Sequence, residues 1–118
     1  MLPARNRMRR SAEFSATVSR GARAVQPDVV VHALHEGTDA TGPRVGLIVS
    51  KAVGNAVQRH QVSRRLRHVA RTVIPDLDAT DLVVIRAREG SGDAPSSRLE
   101  QQLHRALERL EARRRTSP

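Results

Sequence analysis

Apolar positions along the chain follow two rhythms. Asp28 to Leu34, with Val29, Val30 and Val31 in a row, Arg44 to Ser50, and Asp81 to Arg88, with Leu82, Val83, Val84 and Ile85 in a row, are short apolar runs. Runs of this length predict strands, and the unbroken third one predicts a strand buried on both faces or at the sheet centre. Elsewhere the spacing is helical. From Asn55 to Val73 there is no Gly or Pro, Val62, Leu66, Val69 and Val73 recur on one side, and Pro75 follows, which predicts a helix over 55–73. Leu99, Leu103, Ala106, Leu107 and Leu110 form one stripe of a final helix, with Ser97 and Glu100 spaced as a capping box. Near the start, Ser11 is placed to cap a short helix that carries Phe14 and Val18 four apart and stops near Gly21.

Turn residues divide these elements. His35 to Pro43 contains Gly37, Asp39, Thr41 and Gly42, which suits an antiparallel hairpin between the first two runs. Glu89 to Ser97 reads as a loop. The order predicts an α+β sandwich of helices on a sheet of about four strands. At 118 residues one core suffices, with a basic extended arm over 1–10 (Arg5, Arg7, Arg9, Arg10), one domain over 11–112 and a basic mobile tail over 113–118.

Charge sharpens the picture. Lys and Arg number 21 against 12 acidic residues, a formal net charge of +9, and a field of that sign concentrates polyanions, so nucleic acid is the first partner to consider. All but Lys51 of these cations are arginines, whose planar donor forks match phosphate oxygens. Phe14 is the only aromatic residue. Recognition by stacking on aromatic platforms is therefore nearly excluded, and phosphate contacts and shape must carry it. Without cysteine, disulfides, zinc ribbons and thiol nucleophiles are excluded. No apolar run is long enough for a membrane span or a signal peptide, which points to a cytoplasmic protein without membrane partners.

The densest chemistry lies in Ser50 to Arg71. At about 100° per residue, His60, Arg64, Arg67, His68 and Arg71 gather opposite the apolar stripe of the 55–73 helix. A charged helix face is commonly just solvated, but such faces mix signs because unlike pairs stabilise them, and no acidic residue occurs from Lys51 to Arg71. Val57 falls on the cationic side, which leaves its first turn either under a loop or outside the regular helix. Gly54 and Asn55 suit the turn into the helix, whose free N–H groups beside Lys51 offer an anion site. No carboxylate pair, His-x-x-x-His or phosphate-binding loop suggests a catalytic centre or a metal site in the chain; His32 reads as structural or exposed, and His104 as polar-face.

Arg44-Val-Gly-Leu-Ile-Val-Ser-Lys51, then Ala52-Val-Gly-Asn-Ala-Val-Gln-Arg59, then Arg64 and Arg67 resemble the signature of the bacterial ribonuclease P protein subunit. The opening Arg5-Asn-Arg-Met-Arg-Arg-Ser-Ala-Glu-Phe14 and the later Asp81-Leu-Val-Val-Ile-Arg-Ala87 are similar to the same family, so the resemblance spans roughly residues 4 to 110. Inside the signature the chain has Arg59-His60-Gln61 where the family usually has Arg-Asn-Arg, and Ser63 where Lys is frequent, so those family contacts are not carried over.

The resemblance implies an α-β-β-β-α-β-α fold with a left-handed crossover, against the general rule. It also implies a protein that binds ribonuclease P RNA and precursor tRNA while the RNA, with magnesium bound mainly by RNA and substrate, removes the 5′ leader. Lys51, Asn55, Arg59, Arg64 and Arg67 would face the catalytic RNA, and Arg71 extends their stripe by helix geometry. Phe14 and Val31 would line a cleft for the single-stranded leader, although Phe14 serves equally as a core anchor of the first helix. The competing classes are a ribosomal or general RNA-binding protein, a DNA-binding regulator, for which no helix-turn-helix or dimerisation heptad is present and no DNA partner is expected, and a self-sufficient nuclease.

Overall fold

The computed structural model describes residues 2–35 and 42–116. In chain order it contains α1 (Ser11–Arg20), β1 (Ala22–Val25), β2 (Val29–Leu34), β3 (Arg44–Ile48), α2 (Ala56–Val73), β4 (Leu82–Ala87) and α3 (Ser96–Thr116), with short 3-10 turns between several of them. The α+β order and the four-stranded sheet match the sequence pattern.

Strand pairing does not. The sheet order is β1-β2-β4-β3, so the two strands expected to form a hairpin are not neighbours: β4 lies between them, antiparallel to β2 and parallel to β3. The central place goes to the strand that can be buried on both sides, since Leu82, Val83, Val84 and Ile85 are all buried. The hairpin is instead β1–β2, closed around Gln26 to Asp28, where Gln26 N–H donates to the Val29 carbonyl at 2.8 Å. Most of the proposed turn, residues 36–41, lies outside the described residues, as do 117–118 of the tail.

Alternation along the strands builds two cores. Val29, Val31, Val83 and Ile85 pack with Val62, Leu66, Val69 and Val73 of α2 and with Leu99, Leu103, Ala106 and Leu110 of α3. On the other face Leu34, Leu82 and Val84 pack with Met8 and Phe14. Each fully buried side chain of this size contributes about 1.5–3 kcal/mol of transfer free energy, which fixes α2 and α3 on one face and α1 on the other.

Three local expectations change. The first ten residues are not a free arm: Leu2, Asn6 and Met8 are buried, Asn6 Nδ2 donates to the Pro43 carbonyl at 2.8 Å, and Met8 N–H donates to the Val45 carbonyl at 2.9 Å. In α1 the cap position is Arg10 and no side chain caps it. Thr17, not Val18, faces inward, its hydroxyl donating to the Glu13 carbonyl at 2.7 Å, while Val18 is 41% exposed. In α3, Ser97 lies inside the first turn, where the Arg98 and Leu99 N–H groups donate to the Pro95 carbonyl, and the helix continues to Thr116 through most of the expected tail.

Candidate nucleic-acid interface

Two surfaces carry the candidate residues, and each is set up by local chemistry. The first is the outer side of α2. Its start is defined by a capping box in which Asn55 Oδ1 accepts from Gln58 N–H at 2.9 Å and Gln58 Oε1 accepts from Asn55 N–H at 2.8 Å. Gly54, at φ 152°, makes this possible, because a Cβ there would lie 2.2 Å from Gln58 Oε1. Lys51 precedes it on an exposed 3-10 turn anchored by buried Val53.

From that start α2 presents His60, Arg64, His68 and Arg71 to solvent, with Arg67 half-buried beside them. Val57 sits among them, inside the regular helix and 66% exposed, neither covered by a loop nor outside the helix. Arg59 is half-buried on the margin, and its Nε has no hydrogen-bond partner among the described residues. Arg65 points elsewhere: it donates to the Ala94 carbonyl at 2.5 Å and the Gly92 carbonyl at 3.2 Å, pinning the loop before α3. Adjacent arginines therefore have different tasks, and spacing from the apolar stripe distinguishes them.

The N-terminal arginines divide likewise. Arg5, Arg9 and Arg10 are exposed, whereas half-buried Arg7 donates from Nε to the Leu2 carbonyl at 3.1 Å.

The second surface is the sheet face under α1. Register places Arg23, His32, Val84 and Gly46 in one row across the four strands, and Val25, Val30, Arg86 and Ile48 in the next. Phe14 anchors α1 to this face. A Cβ on Gly46 would lie 2.5 Å from the Phe14 ring, so the glycine admits the aromatic, which remains half-buried. Arg23 and Arg86 are exposed and Val25 is 46% exposed, leaving an aliphatic strip flanked by two guanidinium groups.

Val31 does not belong here. It is fully buried on the opposite face, against the cluster that includes α2 and α3, and Val30 occupies the α1 side, because neighbouring strand residues point to opposite faces. The sequence reading also missed Arg23, Arg86 and His32. His32 is 4% exposed with no partner for either ring nitrogen among the described residues. Burial, then the charges of Arg86 and Arg23, push its imidazole below the ordinary value. A buried polar ring without a partner is costly, and its position two residues after Val30 in a strand was the available signal. Neither surface brings three metal-ligating side chains together; among the described residues only His35, Asp78 and Asp81 do so.

Sequence and structure comparisons agree on what this arrangement belongs to. A sequence model of the ribonuclease P family matches residues 2–111. The ribonuclease P protein component of Mycolicibacterium vanbaalenii is 66% identical over 114 residues, covering 96% of each chain, and that of Mycobacterium avium is 57% identical over 95% of this chain and 97% of its own. Among solved structures, the ribonuclease P protein of Staphylococcus aureus superposes with a TM-score of 0.72 at 23% identity over 94% of both chains. That of Thermotoga maritima gives 0.73 at 20% identity over 87% of this chain and 96% of its own; at these identities the likeness shows the fold. The chain is a member of the ribonuclease P protein family, which forms part of an endoribonuclease holoenzyme for the 5′ processing of tRNA.

Proposed function

We propose that this protein works through two RNA surfaces: the cationic side of α2, with Lys51 and Asn55 at its start, holds ribonuclease P RNA, and the sheet face under α1 holds the 5′ leader of precursor tRNA. The observation that carries this reading is the one-signed face of α2, on which Arg64, Arg67 and Arg71 stand without an acidic residue from Lys51 to Arg71. Phosphate neutralisation of that kind gives strong, salt-dependent binding without base reading, which suits a structured RNA held by its backbone. Exposed Arg5, Arg9 and Arg10 extend the positive field.

The α1 side of the sheet suits a different ligand. Arg23 and Arg86 flank an aliphatic strip with Phe14 at its edge, so a single strand is held there by its phosphates and by apolar contact rather than by aromatic stacking. The ordered N-terminal segment bears on this surface, since Met8 packs against Phe14 and places α1 over the sheet.

Among the described residues these faces carry no carboxylate pair arranged for two-metal hydrolysis, and in this reading the chemistry belongs to the RNA subunit, with magnesium held mainly by RNA and substrate. The protein's part is to bind, orient and neutralise. Cleavage of a precursor tRNA at low magnesium by the organism's ribonuclease P RNA tests the assignment. Marked stimulation requiring both components is expected; binding without stimulation would return the protein to the general RNA-binding class, and cleavage by the protein alone would place the catalytic centre in this chain.

A further inference from the structure

Beyond the two RNA surfaces, α3 carries a one-signed stripe of its own. At about 100° per residue, Arg98, Arg105, Arg109 and Arg113 fall within about 80° of one another around the helix, while Glu100, Glu108 and Glu111 gather on the other flank with His104. Both ends of the arginine stripe are tied to the β1–β2 hairpin. Arg98 Nε donates to Asp28 Oδ2 at 2.8 Å beside the hairpin turn, and Arg113 Nη1 donates to the Arg23 carbonyl at 2.7 Å on β1. The stripe therefore runs along the edge of the sheet at which β1 is the outermost strand.

Two observations separate it from an ordinary solvated face. Arg105 and Arg109 are exposed in the middle of α3 and, among the described residues, their side chains make no ion pair or hydrogen bond, although Glu108 is within three residues of both. Like charges four apart oppose a helix, and the helix dipole favours cations only in the last turn, which accounts for Arg113 and Arg114 but not for this pair. The second observation is continuity. Arg23 flanks the aliphatic strip of the sheet face, and the same residue's carbonyl holds Arg113. A strand that crosses the sheet face and passes Arg23 meets Arg113 at the edge, then Arg109 and Arg105 at steps of about 6 Å along the helix.

We propose that Arg105 and Arg109, with Arg113 leading to them, take up the phosphates of the 5′ leader upstream of the nucleotides held on the sheet face. The inference rests on the reading of that face as the leader surface. Contacts of guanidinium groups with phosphates need no particular bases, so the stripe would add affinity for a long leader whatever its sequence. Arg98, committed to buried Asp28, marks where the track ends.

The test measures precursor tRNA affinity in the reconstituted holoenzyme with leaders of one, about four and about sixteen nucleotides, the span over which a protein surface takes up single strands. Wild type is expected to gain affinity at both steps. Arg105→Ala/Arg109→Ala, at exposed positions where alanine favours the helix, is expected to keep the first gain and the affinity for the one-nucleotide leader, and to lose the second. Two lost single-strand phosphate contacts remove about 1.4 units from the salt slope of the longest substrate alone, so the ratio of wild-type to variant affinity should shrink about sevenfold between about 50 and 200 mM salt. Arg23→Ala/Arg86→Ala reads the first gain separately. A wild type with no second gain, an α3 variant that retains it, or an α3 variant equally weakened for all three leaders would overturn the stripe and leave the cleft standing. A first gain that survives in the sheet-face variant would overturn the cleft, and the continuous path with it.

Discussion

Arg64, Arg65 and Arg67 lie within one turn of α2, yet the structure assigns them opposite consequences on mutation. Arg64 and Arg67 lie on the outward side, whereas Arg65 is spent on the carbonyls of Gly92 and Ala94. If each of the outward pair neutralises one phosphate, the double variant Arg64→Ala/Arg67→Ala loses about 1.8 units from the slope of log affinity against log salt. Between about 50 and 200 mM salt, the affinity gap between wild type and variant should then shrink about twelvefold. Arg65→Ala should leave the slope unchanged and cost about 1–2 kcal/mol of stability, the worth of two half-buried bonds from a charged donor. Filter binding to the ribonuclease P RNA across a salt series, paired with denaturant melts, reads both quantities. A double variant that stays folded with the wild-type slope, or an Arg65 variant that alters the slope with unchanged stability, would refute the division of labour along the helix.

Other consequences follow from single sites. Gly54→Ala should cost about 1–2 kcal/mol and fray the start of α2 by circular dichroism, because the new Cβ displaces Gln58 from the capping box at a φ that favours glycine. Asp28 is buried, accepts from Arg98 Nε at 2.8 Å and Gln102 Nε2 at 2.6 Å, and is held below the ordinary carboxylate value, first by the Arg98 hydrogen bond. Because its folded value is depressed, its contribution is complete above the unfolded value of 3.8 and is lost as pH falls through the folded value; Asp28→Ala should flatten that acid limb in thermal melts. Burial, then Arg86 and Arg23, hold the His32 imidazole below its ordinary value too, so its neutral form is the folded one and stability is lost as pH falls below the ordinary value of 6.5. A phosphate bound between Arg23 and Arg86 should raise the His32 value, which NMR titration with a short single-stranded RNA would detect as an upward shift.

The parts of the fold that could be read from the chain are those encoded locally. α2 runs over almost the predicted span because its apolar stripe, its capping pair Asn55 and Gln58 and its following Pro75 all lie inside or beside it. β4 announced its central place by being apolar at four successive positions. Partner choice is not local, and β2 and β3 were paired wrongly because a turn-rich connection fits a hairpin as well as it fits strands separated by a third. β1 has only one buried residue in four, too little signal to give it boundaries. The N-terminal segment was read from its arginines, whereas Leu2, Asn6 and Met8 decide where it packs.

Site legibility follows the same division. The cationic side of α2 is a property of one helix and was visible from spacing alone. The sheet surface joins residues from four strands, so Arg23, His32 and Arg86 could be brought together only once register was known. Parity along β2 moved the cleft residue from Val31 to Val30, a one-residue difference that turns a side chain to the other face. His35 and Asp81 likewise meet only through that register.

The claim of two separate RNA surfaces is tested most directly in the reconstituted holoenzyme. Precursor tRNA affinity would be measured with a long leader and with a one-nucleotide leader, for wild type, Arg23→Ala/Arg86→Ala and Arg64→Ala/Arg67→Ala. The account predicts that the sheet-face variant loses the advantage of the long leader while still assembling with the RNA, and that the α2 variant loses assembly at moderate salt. A sheet-face variant that retains the full leader advantage would contradict it.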